Sequence, residues 1–536
     1  MISPERTHSN FPDQTIPARI VIGVTGHRKL EDLSALGDAI RSAIDSITQM
    51  APPLRNTPLL LGVLSPLAEG ADRLVAREVL KVPGAVMEVT LPLEKTDYMR
   101  DFETDESKAE FEALLSRART VRQLPPQDDR VLAYEQVGRY IVDQCDVLLA
   151  LWDGKSSAGR GGTQEIVQYA RESKCPLVWI NTENPSQIKF EMGRGLNVRP
   201  FHSLDEYNSE RLNPGKYKTQ LNQNITFFVD EGTKAKLPLD RLRPTTEYIL
   251  KHYVRSDILA LNYQHNYYRT ETWVYVLALV AVIIAAFQVL FFPDRPVILL
   301  TEVVLMLAVL GIVWVSRGRR WHDKWIDYRF LAERFRSALF MAVAGADVAI
   351  LRPPRHLSLA YSPKDWMVVA FTSVWNQRPR LPMPDRNMFE GIKNFLGTAW
   401  IEDQIAYHKS AEERHLKRHR RMTVASYTLF GLTIGVALLH VVGIGPHWLK
   451  TVFAFLAIVF PAIAASITAI RTHRDYLRNS MRSAEMARHL QELKSKMMQV
   501  QDYRGFLRLV KETEETMLHE NEDWRVVVRF HTAEPV

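Results

Sequence analysis

Hydrophobic positions are spread unevenly along this chain. Four apolar stretches crowd into its second half, at about 273–292, 297–316, 422–444 and 448–470. Each is about 20 residues long, enough for a helix to cross a hydrocarbon core of ~30 Å. The links inside each pair are very short, Pro293-Asp294-Arg295-Pro296 in the first and Gly445-Pro446-His447 in the second. The pattern therefore predicts four transmembrane helices in two hairpins. Glu302, His440 and Lys450 are polar residues within these spans. They read either as the mouth of a pore or as a structural polar cluster snorkelling at the interface. Pro461 predicts a kink in the fourth span.

The first part of the chain has another rhythm. Apolar β runs start near Ile20, Pro58, Ala85, Cys145 and Cys175, separated by amphipathic helical stretches. Strands alternating with helices predict an α/β, Rossmann-like, doubly wound parallel sheet over 18–185. Helices are expected within 96–118, and another from Gln127 into the Cys145 strand. Arg130 and Tyr134 share a face of that helix, suited to closing over a ligand or to plain surface packing. The remaining divisions follow from composition. Residues 1–17 read as a disordered tail and 186–255 as a connector. A first two-span module covers 256–345, a Pro- and Trp-rich cytoplasmic insert 346–399, and a second two-span module 400–500. The cytoplasmic tail, 501–536, reads as helical to about Asn521 with a short strand at 524–531.

Charge sets the orientation. The net charge of +7 is concentrated on the outer flanks of the hairpins: Arg317, Arg319 and Arg320; Arg414, Lys417, Arg418, Arg420 and Arg421; Arg471, Arg474 and Arg478. The links inside the hairpins carry almost none. The positive-inside rule then places both termini and the central segment in the cytoplasm of a multi-pass protein of the cell inner (plasma) membrane. The same clusters suit anionic lipid head groups. No basic-aromatic motif accompanies them, so nucleic acid is not an expected partner. Two cysteines, Cys145 and Cys175, build no disulfide framework and fit a reduced compartment. The polar N-terminus shows no apolar signal segment. His415 and His419 have a metal-like spacing but sit among Arg and Lys without a third ligand, so no metal is expected.

The hairpins look like copies. An offset of 152 relates Arg269 to Arg421, Tyr275 to Tyr427, Arg319 to Arg471, Ala332 to Ala484, Glu333 to Glu485 and Arg336 to Arg488. The common unit is a polar helix, two spans and an amphipathic helix bearing A-E-x-x-R. A Glu and an Arg three apart form a local ion pair on one helix face, or mark packing against a neighbour.

Three loops at predicted strand ends carry candidate chemistry. The first is Gly23-Val24-Thr25-Gly26-His27-Arg28, a tight turn whose amides suit an anion. The second, Ser65-Pro66-Leu67-Ala68-Glu69-Gly70-Ala71-Asp72, reads as close approach by a ligand or as helix capping with an acidic first turn. The third is Asp153-Gly154 followed by Arg160-Gly161-Gly162-Thr163-Gln164-Glu165. Its amides, the Thr163 hydroxyl and Arg160 suit a phosphate, and Glu165 suits a ribose contact or a catalytic carboxylate. A flexible loop with an acidic helix start is the plainer alternative.

The repeated two-span layout with its Tyr/Arg/Ala-Glu pattern resembles the SLATT family, membrane effector modules of bacterial conflict systems. The resemblance covers about 256–345 and 400–500 and implies oligomeric, membrane-disrupting or pore-forming behaviour. Thr25-Gly26-His27-Arg28 and Gly161-Gly162-Thr163-Gln164-Glu165 resemble the T-G-x-R turn and G-G-x-G-T-x-x-E loop of the SLOG superfamily. That group includes nucleotide sensors and the Lonely-guy phosphoribohydrolases. Here the threonine–glutamate spacing is one residue shorter. The resemblance implies a nucleotide or NAD-derived ligand. The leading expectation is a homo-oligomeric membrane effector whose nucleotide-sensing domain gates permeabilisation in anti-phage defence. The alternatives are a membrane-anchored nucleotide N-glycosidase using Glu165 and a metabolite-regulated channel or transporter subunit.

Overall fold

The computed structural model describes residues 14–127, 129–155, 162–346, 366–379, 381 and 388–529. They fall into two compact units, residues 1–211 with 349–378, and residues 212–348 with 379–536. Most of the tail expected at 1–17, and residues 347–365 of the insert, lie outside the described residues.

The first unit runs β1 (Ala18–Gly26), α1 (Leu33–Gln49), β2 (Leu59–Ser65), α2 (Ala71–Val79), β3 (Val86–Leu91), α3 (Lys95–Tyr98), α4 (Asp105–Arg117), β4 (Thr120–Gln123), α5 (Arg130–Gln144), β5 (Val147–Trp152), α6 (Thr163–Glu172), β6 (Leu177–Asn181), β7 (Ile188–Glu191) and α7 (Arg199–Ser209). The seven strands form one sheet in the order β4-β3-β2-β1-β5-β6-β7. All neighbours pair in parallel except β6 and β7. The expected Rossmann-like sheet is present. Every residue of β5, Val-Leu-Leu-Ala-Leu-Trp, is buried, as a parallel strand covered on both faces requires. α1 shows how a flanking helix is made. Asp32 caps it by accepting from the Ala35 amide at 2.9 Å, and Leu36, Ile40, Ala43, Ile44 and Ile47 bury one stripe.

Two strands escape the sequence pattern. β4 and β7 lie at opposite edges of the sheet, and neither contains a fully buried residue. β7 falls in the stretch read as a connector and is tied to α6 by Arg171–Glu191 at 2.8 Å. A further helix, α12 (Trp366–Gln377), comes from the insert between the two hairpins and completes this unit. Its Ser373 hydroxyl donates to the Pro17 carbonyl at 2.8 Å, Asn376 donates to Glu88 at 2.7 Å, and Trp366 packs on Tyr207 of α7. These contacts hold α12 beside the start of β1, leaving the carboxyl ends of the strands to their own loops.

The second unit is helical. α8 (Pro214–Lys234) folds back along α9 (Leu239–Phe291), where Tyr217 meets Val254 and Ile258. α9 is one continuous helix of 53 residues, about 80 Å long, so the first span is rigidly joined to a soluble stem. α10 (Leu299–Gly318) returns across the apolar layer and α11 (Trp321–Val343) runs beside the α9 stem. After α13 (Phe389–Phe395) and a π-helical turn at Leu396–Glu402 the layout repeats: α14 (Asp403–Val442), α15 (His447–His473) and α16 (Tyr476–Gln499). α17 (Tyr503–Arg529) ends the described chain. It is helical through 524–529, where a strand was expected, because the helix begun at Tyr503 continues through the β-branched run. The four apolar helices are long and apolar enough to cross a membrane, and only 0–22% of each apolar window is buried.

Both hairpins turn in the same way at their second span. Arg320 precedes α11 with φ 51°, and Asp475 precedes α16 with φ 46°. A single left-handed residue thus joins span to amphipathic helix in each copy, a conformation that costs an L-residue ~1–2 kcal/mol and that Asp tolerates better than most. Asp475→Gly is expected to stabilise the protein by about 0.5–1 kcal/mol and Asp475→Val to destabilise it by about 1–2 kcal/mol, measured as shifts in denaturant midpoint in detergent.

Candidate functional site

The strand order places a topological switch between β1 and β5. The chain builds outward from β1 to β4, then returns to lay β5 on the other side. Beyond the carboxyl ends of two such strands a crevice forms where ligands of this sheet class bind. The loops at that edge are interlocked. The His27 amide donates to the Leu151 carbonyl at 3.0 Å, and the Ala71 amide donates to the His27 carbonyl at 3.0 Å. A Cβ on Gly26 would lie 2.5 Å from that of Ala71 and 2.7 Å from the Leu151 carbonyl oxygen. One on Gly70, which has φ 76°, would lie 2.2 Å from the Arg28 carbonyl oxygen. Both glycines are thus required by close backbone approach, which joins the first loop to the second. Gly23 serves differently. It lies inside β1, where a Cβ would strike Ile141 and Cys145 of the α5 end at 2.8–2.9 Å.

His27 also joins the first loop to the third. Its Nε2 lies 3.0 Å from Asp153 Oδ1 and 3.2 Å from the Asp153 amide nitrogen. Partial burial works to raise the Asp153 pKa, but hydrogen bonds from the Lys155 amide and His27 hold it below the usual carboxylate range. Thr25, next to last in β1, lies in register with Ala150 of β5. Arg28 is exposed, and its guanidinium lies 5.3 Å from the Tyr134 ring centroid. Among the described residues it forms no salt bridge; burial works to lower its pKa, but Tyr134 and the nearby Asp101 hold it above the ordinary value, so it stands as a cation at the strand edge.

The second loop is mostly turned inward. Ser65 is buried and its hydroxyl accepts from the Leu67 amide at 3.0 Å. The Glu69 carboxylate accepts from the Ser107 hydroxyl of α4 and from the Glu103 amide at 3.3 Å. Asp72 is 95% buried and accepts from the Ala68 amide at 3.1 Å. Burial, opposed by the Ala68 hydrogen bond and by Arg28, pushes its pKa up to about 7.

Gly162, Thr163 and Glu165 open α6. Glu165 lies 3.8 Å from Arg139 of α5, which also stacks on Tyr169. Arg160 and Gly161 lie outside the described residues.

The insertion after β3 supplies residues that the strand-end motifs did not point to. Arg130 pairs with Asp97 at 2.9 Å and Asp101 at 2.7 Å, and the Tyr134 hydroxyl donates to Asp101. Burial, and then Asp101, push Tyr134 up to about 12, so it stays a neutral donor. Tyr98 is fully buried among Phe102, Phe111 and Tyr134, and its hydroxyl has no partner among the described residues. The one sequence signal was the matched i, i+4 spacing of Asp97/Asp101 and Arg130/Tyr134. A small concavity elsewhere in the unit, about 110 Å³ at the amino ends of the strands, is below the usual ~300–1,000 Å³ of ligand sites. Among the described residues no group of three or more His, Cys, Asp or Glu is placed to hold a metal ion.

In the helical unit, His440 Nδ1 lies 3.0 Å from the Lys450 carbonyl oxygen, across the turn between α14 and α15. Glu302 sits in the first turn of α10, at the turn of the other hairpin. All three polar residues therefore stand at hairpin tips. The two hairpins meet through α9 and α15, with Phe287 and Phe291 against Phe455, and Glu271 bonded to His473. Residues 398–524 match the family model of the SMODS and SLOG-associating 2TM effector domain 1. This chain carries a SLATT two-transmembrane effector domain there. The domain starts in the π-helical turn and takes in α14, α15, α16 and most of α17. A membrane effector of a conflict system is the class it suggests. Among curated proteins, none matches the chain.

Two outcomes follow from the geometry. Gly70→Ala should cost roughly 2–4 kcal/mol, since it adds both a clash and a positive-φ penalty, read as a lowered urea midpoint for the α/β unit. Asp72 predicts a pH dependence. Its folded pKa of about 7 exceeds its ordinary 3.8, so the folded chain binds this proton more tightly than the unfolded one. The proton's contribution to stability is full below about 3.8, declines as pH rises, and is gone above about 7. Urea titrations across that window should show a shallower decline in Asp72→Asn than in wild type.

Proposed function

We propose that the chain is a membrane effector whose α/β domain binds a nucleotide-type ligand and thereby controls membrane permeability, as part of a bacterial conflict response. The observation that carries this reading is the interlocked strand edge at the β1/β5 switch. There Arg28, a cation without a salt bridge among the described residues, directly follows His27, which pairs with Asp153 at the end of β5; the loop after β5 leads into the start of α6. Such an edge offers a phosphate both charge and backbone donors. The resemblance of the turn and of the glycine-rich loop to the SLOG superfamily supports the same ligand class. In this reading both termini are cytoplasmic and the protein works as a homo-oligomer.

A route for coupling is also supported. The chain leaves the first two-span module after α11, contributes α12 to the α/β unit, and only then enters the second module. A ligand that reshapes the α/β unit therefore acts on a segment tethered at both ends to membrane modules. The N-glycosidase alternative requires Glu165 to be available for chemistry, and the Arg139 contact instead engages it with α5.

Calorimetry of the full chain in nanodiscs against nucleoside mono-, di- and triphosphates, NAD and ADP-ribose tests the reading. The expected result is saturable binding of at least one of them, weakened about tenfold or more by Arg28→Ala, which removes one charge-assisted contact, with the ligand recovered intact. Binding unchanged in Arg28→Ala contradicts the site. Release of free base, lost in Glu165→Gln, transfers the function to the enzyme.

A further inference from the structure

A second feature lies wholly in the helical unit. Where α9, α11, α14, α16 and α17 converge there is a cavity of about 430 Å³, within the size range of small-ligand sites. It sits at the ends of the spans that carry the basic flanks: Arg418 lies just before the third span and Arg474 just after the fourth.

Its charge is unbalanced. Five arginines line it, Arg329, Arg336, Arg418, Arg474 and Arg482, against two carboxylates, Glu333 and Glu520. The pairing leaves a remainder. Arg329 is shared between Asp257, at 3.0 Å behind it, and Glu333. Arg336 shares Glu333 and donates to Gln404 at 2.8 Å, and its Nε has no partner among the described residues. Arg482 pairs with Glu520 at 3.3 Å. Among the described residues Arg474 donates through Nη2 to neutral oxygens, the Tyr268 carbonyl and the Thr272 hydroxyl, each at 2.9 Å, and its guanidinium lies over the Tyr268 ring, with no carboxylate partner. Arg418 is exposed at the rim and forms no salt bridge among the described residues. With Asp257 counted, two positive charges remain in excess. His408, 91% buried, also lines the cavity, and its Nδ1 has no hydrogen-bond partner among the described residues. A buried polar atom without a partner is costly, and so is uncompensated charge in a partly dry cavity.

We propose that this cavity is a binding site for a phosphate-bearing anion, either a free phosphate compound or the head group of an anionic lipid. Arg418 and Arg474 meet the charge, while Arg336 Nε and His408 Nδ1 supply contacts deeper inside. A phosphate dianion matches the surplus, and planar guanidinium forks suit its oxygens. Because its walls come from both two-span modules, an occupant bridges them.

The test uses the full chain in nanodiscs. In pure phosphatidylcholine discs, thermal unfolding is followed with added pyrophosphate against chloride of equal ionic strength. In a second arm, discs contain phosphatidylglycerol and no free phosphate. Stabilisation by pyrophosphate assigns a soluble ligand, and stabilisation by phosphatidylglycerol alone assigns a head group. In either case Arg418→Gln, at an exposed position, and Arg474→Gln should each shift the half-saturating concentration about tenfold, while Arg28→Ala leaves it unchanged. No stabilisation in either arm overturns the proposal. So does stabilisation that survives both arginine substitutions or is lost only in Arg28→Ala.

Discussion

Every other feature of this molecule is subordinate to the apolar surface of its four spans. Val441 and Val442 are 82% and 69% exposed, Trp314 77% and Tyr427 75%, and none of the described residues covers them. Burial of such surface is worth ~25 cal/mol per Å², and a continuous patch of it does not persist in water. Lipid is therefore a structural component. It fixes where the helices may break, so the breaks are confined to hairpin tips and to the left-handed joints at Arg320 and Asp475. It also explains why the stems of α9 and α14 continue unbroken out of the apolar layer, since those stems carry the polar contacts between modules.

Burial also explains what was legible in the sequence. The spans were readable because length and hydropathy alone define them. β1, β2, β3, β5 and β6 were readable because a parallel strand buried on both faces is a continuous apolar run. β4, Thr-Val-Arg-Gln, and β7, Ile-Lys-Phe-Glu, are edge strands with one neighbour each, and nothing in their composition separates them from loop. α12 was opaque for a different reason. Its Trp- and Val-rich pattern is that of a buried helix, but its partners, Pro17, Glu88 and Tyr207, lie more than 150 residues upstream.

The strand-edge residues divide in the same way. Gly26 and Gly70 advertise close backbone approach, and the structure uses them so. His27 and Asp153 are distant in sequence and meet only because β1 and β5 are neighbours. Glu69 has the composition of a ligand contact, yet Ser107 and the Glu103 amide occupy it. Tyr98 and Asp101 were hidden, because an insertion after a strand carries no motif until its partners on α5 are known. The A-E-x-x-R repeat separates too. Glu333 is buried and Arg336 half-buried against it, whereas Glu485 and Arg488 are 67% exposed each. One pattern therefore serves as internal packing in the first copy and as an exposed ion pair in the second.

A strand edge suited to phosphate and helices that need lipid are joined by a chain that visits both units twice. In the proposed function, occupancy at the strand edge changes what the membrane helices do. The most direct measurement is dye release from proteoliposomes of the full chain, challenged with the panel of nucleotides, NAD and ADP-ribose. Vesicles should stay tight without ligand and release dye rapidly with a ligand that binds, at a concentration raised by Arg28→Ala. Release that is the same with and without a bound ligand, or vesicles that stay sealed when the ligand is bound, would contradict the proposed function.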